Sequence, residues 1–113
     1  MKIVKDKIQV EDLKRMARET FGDMVKAVVD VEKGVMAIGG ELHSDEETLL
    51  IGEGSHQKDL WGINLYPAEY PSEKWVEFDS IINFKPLDGN ESRGVDNPET
   101  RDKIIEIVRN LTF

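Results

Sequence analysis

Residues 41–47, ELHSDEE, are the densest group of chemically able side chains in the sequence, with Glu41, His43, Asp45, Glu46 and Glu47 inside seven positions. If a β-strand runs through this stretch, Glu41 and His43 stand at i and i+2 on one face. A carboxylate and an imidazole so placed can hold a divalent ion or pass a proton between them. Ser44 and Glu47, however, have the S-x-x-E spacing of a helix capping box, and Asp45 and Glu46 suit the positive end of a helix dipole. A helix start thus accounts for Asp45, Glu46 and Glu47 without any chemistry. Glu41 and His43 remain as the candidate metal ligands, and a divalent ion is the one cofactor the pattern leaves open.

Other chemistries find little to work with. The chain has no cysteine, which excludes disulfides, thiolate zinc sites and thiol catalysis. There are two histidines, and His56 lies in a loop, GSHQKD. Ser44, Ser55, Ser72, Ser80 and Ser92 lack a nucleophile-elbow setting, and GGELH lacks the lysine of a phosphate-binding loop. Arg93, among the turn formers of DGNESRGVD, can clasp an anion or tie its own loop to a nearby acid.

The elements that must position these residues are legible in outline. A short strand can begin at Lys2. Val10, Leu13, Met16, Ala17 and Phe21 then follow helical spacing, with Gly22 as the stop. Residues 24–32 and 35–43 alternate as two strands joined by a turn at Lys33-Gly34, and 45–51 read as a short helix. Strands follow at 60–66 and 75–85, each ended by proline. After the loop 86–97, Asp96 or Asn97 caps a final helix with Pro98 in its first turn and a stripe of Ile104, Ile105, Val108 and Leu111. The expected fold is a single α+β domain over 1–113. It is a four-stranded, mainly antiparallel sheet with two long helices on one face and one short helix.

Strand alternation divides the sheet into two faces. Val25, Ala27, Val29, Val31, Met36, Ile38, Leu42, Trp61, Ile63, Leu65, Val76, Phe78, Ile82 and Phe84 form the expected core face. The other face carries Lys26, Val28, Ala37, Gly39, Leu60 and Gly62 with Glu41, His43, Asn64, Tyr66, Asp79 and Asn83. Its bland account is the wet side of a one-sided sheet. Its two glycines suggest bulges or a close approach. The candidate ligand-binding set is Glu41, His43, Asn64, Tyr66, Asp79, Asn83 and Arg93, with Asn90 and Ser92 at the loop end.

Composition bounds the partners. The 113 residues carry a net charge of −8, and are 39% hydrophobic and 34% charged, a soluble globular profile. The charge is uneven: residues 1–26 hold seven positive and five negative charges, and residues 41–79 hold ten negative and two positive. That acidic middle repels phosphate backbones, so nucleic acid is not an expected partner. No apolar run reaches the roughly 18 residues of a membrane span, and MKIVKDKIQVEDL places charges where a signal peptide is apolar. The expected location is cytoplasmic.

At GELHSDEE, DLWGINLYP and INFKPLDGNESRGV the chain resembles a family of short, acidic prokaryotic proteins of unassigned function, over nearly its whole length. The resemblance implies a compact stand-alone domain and brings no catalytic residue with it. The functional expectation is a non-enzymatic ligand-binding or self-association module, a homodimer included, that uses the polar sheet face. The alternative is a small hydrolase, metal-assisted, with Glu41 and His43 as ligands or acid–base pair and Asp79 as second carboxylate. In that version Asn64 and Asn83 orient the substrate.

Overall fold

The computed structural model describes residues 1–113. Five strands and three helices follow one another as β1 (Lys2–Val4), α1 (Val10–Glu19), β2 (Val25–Asp30), β3 (Val35–Ile38), α2 (His43–Gly52), β4 (Leu60–Leu65), β5 (Val76–Glu77) and α3 (Pro98–Leu111). The sheet order is β1-β3-β2-β4-β5, and every neighbouring pair is antiparallel. The α+β class stands. The strand count is five rather than four, because Lys2–Val4 pairs with Met36–Ile38 as a true edge strand.

Local chemistry explains the best-read elements. In α1, Val10, Leu13 and Ala17 make the buried stripe, and Glu11 and Asp12 sit beside the positive end of the dipole. The Asn97 side chain caps α3 by accepting the Glu99 N–H at 2.9 Å, with Pro98 in the first turn. Between β2 and β3, Gly34 takes a φ of +69°. The Asp30 carboxylate gathers the Glu32 and Lys33 N–H groups there at 2.9 and 3.0 Å.

The main core lies between one sheet face and the helices α1 and α3. Nineteen buried residues form it, among them Leu13, Val25, Ala27, Val29, Met36, Ile38, Ile63, Leu65, Ile104 and Val108. Both of these helices therefore lie on the face where alternation placed them. Three residues assigned to that face lie elsewhere. Leu42 and Phe84 are exposed, and Ile82 packs on the opposite side.

The opposite face is not wet. α2 lies across it, and Val28, Ala37 and Leu60 are buried there with Leu50 of α2 as a second, smaller core. The cause is an early end to β3. Gly39 takes a φ of +86°, which breaks the strand after Ile38 and turns the chain up into a helix that begins at His43. His43 is thus helical, and the expected Glu41–His43 pairing on one strand face does not exist. The capping box does not form either, since Leu42 is the N-cap and no side chain caps it. α2 is as long as α1, ten residues each, so the description of two long helices and one short one is also corrected.

The expected strand 75–85 shrinks to β5, paired with β4 only at Asn64↔Glu77 and Leu65↔Val76. Beyond it, side chains take over the edge of β4. The Asn83 amide accepts the Gly62 N–H at 2.8 Å and donates to the Gly62 carbonyl at 2.9 Å, as the backbone of a neighbouring strand would. Further along, the Lys85 ammonium donates to the Leu60 carbonyl and, at 3.0 Å, to that of Gln57. The edge of β4 is closed without an extended fifth strand.

Candidate functional site

The seven candidate residues have three fates. Glu41 is exposed in the bend before α2 and stands apart from the others. His43, Asn64, Tyr66, Asp79 and Arg93 line one polar seam that runs from beneath α2 to the 79–93 surface. Asn83 is wholly buried and spends its side chain on Gly62 and on the Arg93 carbonyl at 2.9 Å. Asn90, its loop companion, is likewise consumed by the carbonyls of Asn83, Ser92 and Gly94 and by the Asp96 N–H. Both asparagines build the 80–96 loop.

Along the seam, His43 enters from the first turn of α2, and its Nε2 lies 2.8 Å from the Ile63 carbonyl oxygen. That contact puts the proton of the neutral ring on Nε2. Burial lowers the His43 pKa and Lys26 adds to the effect, against the Ile63 carbonyl, Asp79 and the Asn64 amide, which favour the charged ring. Asn64 donates to Glu77 at 2.9 Å and to the Asp79 carbonyl at 3.2 Å, while its Oδ1 is buried with no partner. Tyr66 donates to the same Glu77 oxygen at 3.1 Å; burial and that carboxylate raise the phenol pKa. Arg93 and Asp79 close the outer end as an exposed ion pair at 2.7 Å. Gly62 explains its own presence, because a Cβ there would stand 2.5 Å from Ser80 Oγ and 3.2 Å from His43 Cγ.

The seam has ordered polar groups but no group of three or more histidine, aspartate or glutamate side chains placed to hold a metal ion. The structure also reveals Glu46, whose place near a helix start predicts only a favourable contact with the helix dipole. It is completely buried beneath α2. The signal for it was the inner stripe of α2, in which His43, Glu46 and Leu50 recur at i, i+3 and i+7.

A separate concavity lies beside α3. A groove of about 770 Å³ runs between α3 and residues 70–78, walled by Tyr70, Trp75, Phe78 and Ile105 and flanked by Arg101 and Arg109. Tyr70 meets Trp75 edge-on at 5.0 Å between centroids, and the Arg101 guanidinium lies 5.1 Å over the Phe78 ring. Glu73 and Asp102 also line it, yet neither forms an ion pair with either arginine. By sequence, residues 68–74, AEYPSEK, are only the connection between two expected strands. Aromatic residues beside two arginines eight positions apart on α3 were the available sign.

Fold and surface together define a small α+β domain with helices on both faces of an antiparallel sheet and a groove beside α3. The chain belongs to the family described as protein of unknown function (DUF5674), matched over residues 2–111. No curated protein and no solved structure matches it.

Proposed function

We propose that this protein is a non-enzymatic binding module whose ligand seat is the groove between α3 and residues 70–78. The observation that carries the reading is the pairing of aromatic walls with Arg101 and Arg109, two guanidinium groups that make no ion pair. Its volume, about 770 Å³, falls in the range of roughly 300–1,000 Å³ typical of small-molecule sites. Aromatic rings supply large contact area at low entropic cost, and guanidinium groups match carboxylate or phosphate. The ligand class is therefore a small organic anion with a flat or apolar body. Titration with benzoate, indole-3-carboxylate and phenyl phosphate, followed by amide chemical shifts, tests it. Shifts centred on Tyr70–Phe78 and Arg101–Arg109, weakened at least tenfold in Arg101→Ala and Arg109→Ala, support the seat. Shifts confined to other surfaces, or none at millimolar ligand, refute it.

A second reading, self-association, rests on Ile81, Phe84 and Leu87, which are 72, 56 and 101% exposed at three-residue intervals. Large apolar side chains gathered on one exposed segment suit an interface. Light scattering across concentration distinguishes it: a dimer lost in the triple serine variant sustains the reading, and a strict monomer ends it.

A further inference from the structure

Glu46 hangs from α2 toward the sheet with no exposed surface. Its Oε2 accepts the Gly40 N–H at 2.9 Å, and its Oε1 has no partner. None of the protein's ion pairs reaches it. An ionised carboxylate there would give up its hydration for one hydrogen bond, so the neutral acid is the form that fits. Gly40 keeps the approach close, since a Cβ at that position would stand 2.8 Å from Glu46 Cγ.

The layers above and below the carboxyl offer little compensation. β2 brings Lys26, whose charge reaches Glu46 without forming an ion pair, and Asp30, which is committed to the β2–β3 turn and to Ser55. β3, reading VMAI, brings no titratable group, nor does the 81–83 turn, reading IIN. The remaining charges are Asp45 on α2 itself and the α-amino group of Met1. Meanwhile the core under α2 holds four buried residues against nineteen on the far side of the sheet. α2 can lift while the main core stays closed.

We infer that α2 is a proton-latched lid: it seats on the sheet with the Glu46 carboxyl protonated, and loss of that proton releases it. Release would bare Val28, Ala37 and Leu60, a second apolar surface absent from the seated form. Burial pushes the Glu46 pKa up to about 9 from an ordinary 4.5, in line with this geometry. Opening then frees one proton throughout that interval, and the opening equilibrium gains about tenfold per pH unit.

Two measurements on the intact protein test the latch. Carbon-13 titration of the Glu46 carboxyl, with the Gly40 amide as a second reporter, is expected to give an alkaline midpoint. Hydrogen exchange across Ser44–Ile51, corrected for intrinsic rates, is expected to lose protection about tenfold per unit from pH 7 to 9. α1 and α3 amides are expected to stay better protected than α2 amides at every pH, and Glu46→Gln to flatten the α2 dependence. A carboxyl midpoint near 4.5 overturns the inference, as does α2 protection that ignores pH or equals that of α1 and α3. The parent titration decides the matter even if the variant folds poorly.

Discussion

Glu46 and His43 stand one helical turn apart on α2, and burial moves their ionisations in opposite directions, so each is neutral at pH 7 in the folded protein. For Glu46 the folded pKa of about 9 lies above the unfolded 4.5, so its stabilising contribution is complete below 4.5 and is lost as pH rises toward 9. For His43 the folded pKa lies below the unfolded 6.5, so its contribution is complete above 6.5 and declines below it. Urea unfolding is expected to show stability falling by about 1.4 kcal/mol per unit from pH 7 to 9. Just below 6.5 the two slopes have opposite signs, and stability should level off. Glu46→Gln keeps an acceptor for the Gly40 N–H and removes the ionisation. It is expected to be more stable than the parent at pH 7 by about 3 kcal/mol. His43→Gln keeps a donor for the Ile63 carbonyl and removes the opposing slope. Its stability should climb more steeply than the parent's as pH falls just below 6.5, and a parent-like profile in this variant would contradict the assignment.

At the scale of elements, the edge of β4 shows how much side chains can replace. Asn83 occupies the place of a strand, and Asn83→Ala would leave the Gly62 N–H, the Gly62 carbonyl and the Arg93 carbonyl without these partners. The expected loss is about 2–4 kcal/mol in denaturant unfolding, while a loss under 1 would mean that water replaces the amide. The same edge explains where sequence reading worked and where it failed. β2, β4, α1 and α3 were legible because each carries an unbroken apolar period over a full element. Residues 75–85 carry a strand-like alternation of Val76, Phe78, Ile82 and Phe84. Yet the Ser80 hydroxyl accepts the Ile82 N–H at 3.3 Å and turns the chain, which no hydropathy period reveals. Polar residues on the second sheet face looked solvated for a similar reason. Alternation reports that a face is mixed, but not that Gly39 will fold a helix back over it. His43, Asn64, Tyr66, Asp79 and Arg93 lie along one seam, but only Asn64 stands in a strand; the others reach it from α2, from just past the end of β4 and from the 79–93 segment. Glu46 and the groove depend on how helices dock, and that information is spread across distant segments.

Across the whole molecule, charge is the property least balanced by structure. Of 23 acidic and 15 basic side chains, few are paired: the ion pairs are Lys14–Glu11, Arg15–Asp12 and Arg93–Asp79. All three lie at partly exposed positions, where such pairs contribute little. Residues 41–79 meanwhile hold ten negative charges against two positive. The molecule measures 37 × 29 × 23 Å, and at 0.01 M salt the screening length is about 30 Å, so the acidic side chains repel one another across its full width. At 0.3 M that range falls well below the molecular dimensions, and the repulsion that opposes the compact state weakens. Raising sodium chloride from 0.01 to 0.3 M should therefore raise Tm, by about 3–6 °C if screening contributes about 1 kcal/mol. The organic-anion titration supplies the contrast, because the same salt should weaken binding at Arg101 and Arg109 while it stabilises the fold. A Tm that falls with salt would mean that attractive contacts outweigh the repulsion, and would remove the acidic middle as the dominant electrostatic feature of this chain.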